Sequence, residues 1–207
     1  MYNLFYYNIE KMTDEIYNSE LSKLPKLRRR EIEKKIKLDD RKRSLAGDML
    51  TRKYISRLYN IPEEEIVFAK GEHGKPYSLN VPVHFSVSHS QKYTVVAISN
   101  EPIGVDTEVI REFSAIVAHK TFNADEKMYI AGDTDFRKHK DMEKAFYEIW
   151  TGKEAYIKYT GKGLSAGINA LSFKLSGKVL KPLNNDIELI YDYGVPGAVT
   201  AIVTAKK

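Results

Sequence analysis

The apolar positions of this chain change their spacing along its length, and the changes predict where strands and helices lie. Residues 2–9 (YNLFYYNI) are rich in strand-forming side chains and predict a first strand. Between residues 25 and 60 the spacing turns helical, in two helices. Leu45, Met49, Ile55 and Leu58 are expected on one stripe of the second. Pro62 and the acids behind it end that helix. The turn-rich GEHGKPY (71–77), with prolines at 76 and 82, predicts irregular backbone. HFSVSHS (84–90) and YTVVAIS (93–99) then predict two strands around a short polar turn, and IGVDTEVI (103–110) a third.

The second half follows the same plan. Asn123, with Glu126 three residues on, predicts a helix start closed by a capping box. A long helix is expected from Met142 to Tyr159, stopped by Gly161 and Gly163. LSFKLSG, IELIYDY and AVTAIVT predict three late strands. Each half therefore reads as a long helix, a glycine-lysine turn and antiparallel strands. The expectation is an α+β fold of two similar lobes, residues 1–104 and 105–207, with a ligand cleft between them.

Composition narrows the chemistry. The chain has 207 residues and no cysteine, which excludes disulfides, thiolate metal sites and a cysteine nucleophile. The N-terminus has no basic leader followed by an apolar run, and no segment is apolar enough for a membrane span, so a cytoplasmic protein is expected. The net charge of +5 is uneven. Residues 23–57 hold fourteen Lys/Arg against five Asp/Glu, so this segment carries +9 and the rest of the chain −4. Such a lobe suits an anionic partner: nucleic acid, a phosphorylated small molecule or an acidic protein. A solvated helix face rich in lysine would look the same.

Three short patterns could carry a reaction. Asp106 and Glu108 stand at i and i+2 of an expected strand, so both carboxylates share a face while Thr107 points away. Paired carboxylates with open positions suit Mg²⁺ and substrate phosphates, although a solvated strand end is the plainer reading. On the long helix Trp150, Glu154 and Lys158 recur every fourth residue along one face, with Lys153 beside them. Alone, Glu154 and Lys158 are an ordinary i,i+4 pair. Ser88-His89-Ser90 suits hydrogen bonding to phosphate, or simply to neighbouring backbone. No second histidine stands at zinc-ligand spacing, and no G-x-S-x-G elbow or G-x-x-x-x-G-K-[ST] loop is present.

Taken in order, GKP (74–76), FSVSHS (85–90), IGVDTE (103–108), FNADE (122–126) and WTGKEAYIK (150–158), followed by YTGKGL, resemble the 4′-phosphopantetheinyl transferase family. Length and the two-lobe plan resemble its surfactin-synthetase-activating type, a monomeric pseudodimer. The resemblance implies an enzyme that transfers phosphopantetheine from coenzyme A to a serine of an apo acyl or peptidyl carrier protein and releases 3′,5′-ADP. It implies Mg²⁺, with Mn²⁺ as substitute, on Asp106, Glu108 and Glu154, and catalysis by Glu154, Lys158 and Asp106. It implies coenzyme A contacts from Arg43, Gly74, Lys75, Pro76, Ser88, His89 and Lys158, with Arg28 as a looser candidate near the 3′-phosphate. Carrier docking is expected over residues 161–190, on Leu164, Ile168 and Leu171. Membrane and nucleic acid are not expected partners, and a nucleic-acid-binding module built on residues 23–57 is the alternative.

Overall fold

A computed structural model of the chain describes residues 1–132, 139–163, 167–177 and 179–206. The aromatic N-terminus forms strand β1 (Tyr2–Asn8). Helix α1 (Asp14–Lys23), absent from the sequence-based expectation, starts where the Thr13 side chain accepts the N–H of Ile16. Its periodicity is faint because only Glu20 and Leu21 are buried. Helices α2 (Lys26–Glu33) and α3 (Leu38–Tyr59) are the expected pair, and α3 ends at Asn60 in the left-handed region. Leu45, Met49 and Ile55 are buried, but Leu58 is exposed. Thirteen residues beyond Leu45, at about 100° each, Leu58 lies on the far side of the helix.

The turn-rich segment makes a hairpin, β2 (Phe68–Lys70) and β3 (Pro76–Ser78), where irregular chain was expected. Pro76 is tolerated because it is the first residue of its strand. Strands β4 (His84–Ser90), β5 (Tyr93–Ser99) and β6 (Ile103–Val109) follow the expected spans. Then come α4 (Ala115–Thr121), α5 (Ala124–Ala131) with the Asn123–Glu126 capping box, and α6 (His139–Thr160). Strands β7 (Phe173–Ser176), β8 (Val179–Pro182), β9 (Ile187–Asp192) and β10 (Ala198–Ala205) complete the chain, one more than expected.

The strands form two antiparallel sheets of three, β1-β5-β4 and β6-β10-β9, plus the hairpins β2-β3 and β7-β8. Both sheets use one order: first strand, last strand, the strand before the last. Each half also carries a helix of 22 residues, α3 or α6. The protein is therefore two α+β lobes of one plan. Alternation along β5 joins them: Val96 and Ile98 pack with Ile55 of α3, while Val95 and Ala97 pack with Ile103, Val105, Ala198 and Ile202 of the second sheet. Burying each aliphatic side chain contributes about 1.5–3 kcal/mol. On the outer side of β10, Val199, Ala201 and Val203 pack with Ile149 and Ala155 of α6.

Two buried arrangements fix α6. Lys153, 1% exposed, pairs with Glu126 at 2.9 Å and donates to the Leu171 carbonyl at 2.9 Å. Glu126 also accepts the N–H of Phe173 and caps α5. These partners offset the cost of burying two charges, although burial still lowers the Lys153 pKa. The second arrangement is steric. A Cβ on Gly104 would stand 2.0 Å from the Ala155 carbonyl oxygen and 2.4 Å from the Tyr159 nitrogen, both helix backbone. Only glycine allows β6 to lie so close to α6.

Gly104→Ala is therefore expected to push β6 and α6 apart and cost about 1–3 kcal/mol, as overpacked interiors do. Thermal unfolding checks it: an unchanged melting temperature would mean that the helix is free to move.

Candidate active site

Gly104 sets the distance at which β6 and α6 meet, and the candidate residues stand two and four positions further along the strand. Asp106 is 5% exposed and Thr107 is fully buried, its hydroxyl paired with that of Thr200 at 2.9 Å. Thr107 thus holds β6 to β10 while Asp106 and Glu108 face the other way. Asp106 Oδ1 accepts from Lys158 Nζ at 2.7 Å and from the Ser88 hydroxyl at 2.7 Å. Its Oδ2 is buried without a hydrogen-bond partner. Glu108 accepts from the Ser90 hydroxyl at 2.6 Å.

Glu154 stands one turn before Lys158 on the same face of α6. Burial raises its pKa, the negative charges of Asp106 and Glu108 raise it further, and Lys158 opposes them. Burial also raises the Glu108 pKa, with Asp106 adding to the rise and the Ser90 hydrogen bond opposing it. Three carboxylates on two elements thus feel one another, and one ammonium lies among them. Among the described residues, no group of three His, Asp or Glu side chains is already gathered as a metal site. The donor chemistry nonetheless fits a hard divalent cation: oxygen ligands only, like charges that repel, and a buried carboxylate oxygen left over on Asp106.

Positive charge lies on the other side. His89 leaves the edge of β4 with its residue surface open, yet the surrounding protein removes enough solvent to lower its pKa. The charges of Lys158, Arg43 and Lys35 lower it further. Arg43 donates to the Gln91 carbonyl in the turn after β4 and pairs with Asp40. The Ser88 hydroxyl donates its proton to Asp106. Much of the basic segment is held by internal partners. Arg28 pairs with Asp48 at 2.7 Å, Arg52 caps the Glu63 and Ile66 carbonyls, and Lys42 donates to the Met12 carbonyl.

A cavity of about 220 Å³ opens between the lobes, lined by His73, Gly74, Lys75 and Pro76 from the first and Ile157, Lys158, Gly161 and Gly163 from the second. It is smaller than the roughly 300–1,000 Å³ that encloses a drug-sized ligand. Lys75 does not point a free amine into it. Its Nζ donates to the Ile103 carbonyl at 3.0 Å and the Tyr159 carbonyl at 3.2 Å, and burial lowers its pKa to about 8. Lys75 thereby fastens the loop of the first lobe to the start of β6 and the end of α6. Of the expected docking residues, Leu171 is 1% exposed and belongs to the core under α6, which removes it from any surface role. Ile168 is half-buried, and Leu164 lies outside the described residues.

Sequence reading had Glu126 as the cap of α5 and Ser90 inside a candidate phosphate-binding motif, but it missed the Lys153 partner of the first, the Glu108 partner of the second and the close approach at Gly104, whose one signal is an isolated Gly inside a strand pattern.

The comparisons with known proteins agree across most of the chain. Residues 11–101 match the family described as 4'-phosphopantetheinyl transferase, N-terminal, and residues 102–189 the 4'-phosphopantetheinyl transferase superfamily. The chain is 36% identical over 155 residues to the 4'-phosphopantetheinyl transferase gsp of Aneurinibacillus migulanus, covering 75% of this chain and 63% of the relative. It is 36% identical over 139 residues to the 4'-phosphopantetheinyl transferase Sfp of Bacillus subtilis strain 168, covering 66% and 60%. It is 34% identical over 167 residues to the L-aminoadipate-semialdehyde dehydrogenase-phosphopantetheinyl transferase of Mus musculus, covering 73% and 51%. The chain thus spans between 51% and 63% of the length of these relatives.

Lys75 gives the site a measurable pH signature. Its folded pKa of about 8 lies below the unfolded value of 10.5, so between these values the unfolded chain binds more protons. Stability contributed by this group should be lowest below pH 8 and rise until pH 10.5. A neutral amine still has N–H groups for both carbonyls. Urea unfolding of the native chain and Lys75→Met should show the difference moving in favour of lysine as pH rises through this window. A pH-independent difference would mean that Lys75 titrates as it does in water.

Proposed function

The chain belongs to the 4′-phosphopantetheinyl transferase superfamily, and we propose that it transfers the phosphopantetheine arm of coenzyme A to a serine of an apo acyl or peptidyl carrier protein, releasing 3′,5′-ADP. The observation that carries this reading is the meeting of a carboxylate cluster, Asp106, Glu108 and Glu154, with the cations Lys158 and Arg43 at the border of two lobes. A substrate holding both a pyrophosphate and a 3′-phosphate needs such a division. In phosphoryl transfer the protein mainly positions the reactants and stabilises charge.

In this reading the lobe of residues 1–104 binds coenzyme A and the lobe of 105–207 carries the acids. The adenine sits in the cavity beside Gly74 and Pro76, whose shape Lys75 maintains from behind. Arg43 and His89 take the 3′-phosphate side, and Lys158 the pyrophosphate side. Glu154 accepts the proton of the carrier serine, which is a weak nucleophile without a base. Asp106, Glu108 and Glu154 would hold Mg²⁺, or Mn²⁺ in its place, which would polarise the attacked phosphorus and stabilise the charge on the departing 5′-phosphate of 3′,5′-ADP. No helix of the described residues is long and apolar enough to cross a membrane. We take the enzyme to act as a cytoplasmic monomer, steered to an acidic carrier by its positive charge.

Intact-mass measurement of an apo carrier incubated with coenzyme A and Mg²⁺ tests the reaction. The carrier is expected to gain one phosphopantetheine, and excess chelator to abolish the gain. Full turnover in chelator would remove the metal from this scheme. Glu154→Gln should lower kcat by about 10²–10⁴-fold, the usual share of a general base.

Arg43→Ala should weaken coenzyme A by about 1.5–3 kcal/mol, as losing a charge-assisted contact does, and should affect 3′-dephospho-coenzyme A much less. Equal losses in calorimetric titrations of the two ligands would move Arg43 away from the 3′-phosphate.

A further inference from the structure

Alternate residues of β4 put three hydroxyls, Ser86, Ser88 and Ser90, against the facing edge of β6. Each accepts a backbone N–H: Val105 to Ser86 at 3.1 Å, Thr107 to Ser88 at 3.2 Å and Val109 to Ser90 at 3.1 Å. Both strands advance by two residues per contact in the same direction, so β4 and β6 run parallel. The hydroxyl row stands where carbonyls stand in an ordinary ladder.

A serine hydroxyl has one proton to donate. At two of the three positions it is given to a carboxylate. Ser88 donates to Asp106 Oδ1 at 2.7 Å, and Ser90 donates to Glu108 Oε2 at 2.6 Å. Each therefore grips one β6 residue by its carboxylate and the next by its N–H, which fixes that carboxylate's direction relative to the strand. Ser86 grips only an N–H, and the residue that would offer the corresponding side chain is Gly104.

We propose that Ser88 and Ser90, on the first lobe, are positioning residues that aim the Asp106 and Glu108 carboxylates of the second lobe toward the cleft for a divalent cation. Ser86 in the same row only joins the strands. The inference rests on reading these carboxylates as cation-holding groups. It also makes the acid pair depend on both lobes, since β6 supplies the carboxylates and β4 their orientation.

The test compares the native chain with Ser90→Ala, Ser90→Thr and Ser86→Ala by two measurements that need no turnover. One is amide hydrogen exchange at Val105 and Val109; the other is Mn²⁺ binding followed by electron paramagnetic resonance. Ser90→Ala should speed exchange at Val109 by about fivefold or more, as the loss of one hydrogen bond predicts. It should weaken Mn²⁺ by about 10–100-fold, the usual cost of removing a hydrogen bond to a ligating group. Ser90→Thr, which keeps the hydroxyl, should restore both. Ser86→Ala should speed exchange at Val105 and leave Mn²⁺ affinity within about twofold, because no carboxylate lies on its proton.

Equal Mn²⁺ losses in Ser86→Ala and Ser90→Ala would reduce the row to strand glue and overturn the proposal. So would unchanged Mn²⁺ binding in Ser90→Ala, or a native chain that binds no Mn²⁺. A native chain whose Mn²⁺ binding depends on the Ser90 hydroxyl but that modifies no carrier would leave this inference standing and sink the transferase reading instead.

Discussion

The bare backbone at Gly104 is the constraint on which the site depends. With no Cβ there, β6 settles against the last turns of α6, and its next inward residue, Asp106, comes within 2.7 Å of Lys158. The same corner receives Lys75 from the first lobe, bonded to the Ile103 and Tyr159 carbonyls on either side of the contact. One close approach thus aligns a strand, a helix and a loop from the opposite lobe. The cavity of about 220 Å³ lies where they meet.

That corner lets a costly charge arrangement persist. Burial and the Asp106 charge raise the proton affinity of Glu108 and Glu154, while Lys158 and, at Glu108, the Ser90 hydroxyl oppose the rise. A residual like-charge cost of this kind is what a bound cation would relieve, and functional sites are where such perturbed groups gather. The buried Lys153–Glu126 pair, two elements away, is of another kind. Its hydrogen bonds to backbone at Leu171 and Phe173 bind α5, α6 and β7 together, and it has no role in the cleft. Adjacent residues of one helix, Lys153 and Glu154, therefore differ: the first is tied into packing, and the second faces the charges of Asp106, Glu108 and Lys158.

The lobe plan explains why the site falls between halves. Each sheet has an edge strand, β4 in the first and β6 in the second, and these edges face each other through the serine row. An exposed strand edge is normally covered or paired. Here it is joined by side chains, which leaves functional groups on both strands beside the opening. A polar contact on the other side, from Tyr6 of β1 to Asp192 of β9, ties the lobes there as well.

Periodicity, capping signals and the succession of short motifs determined much of this protein by themselves. The α3 and α6 helices, the five longest strands, the Asn123 cap and the identity of the charged residues were legible because each rests on local geometry. Helix α1 and strand β8 were not, since α1 buries only Glu20 and Leu21 and β8 buries none of its residues, which leaves each too faint a periodicity. The inward turn of Lys75, the burial of Leu171 and the direction of the Ser88 proton were decided only by tertiary structure. A side chain's partners depend on what the fold brings opposite it: for Lys75 two carbonyls 28 and 84 residues away, for Ser88 a carboxylate 18 residues on. Sequence spacing specifies which face a residue occupies. Only packing specifies what that face meets, because the energy of a buried polar group is set by its partner.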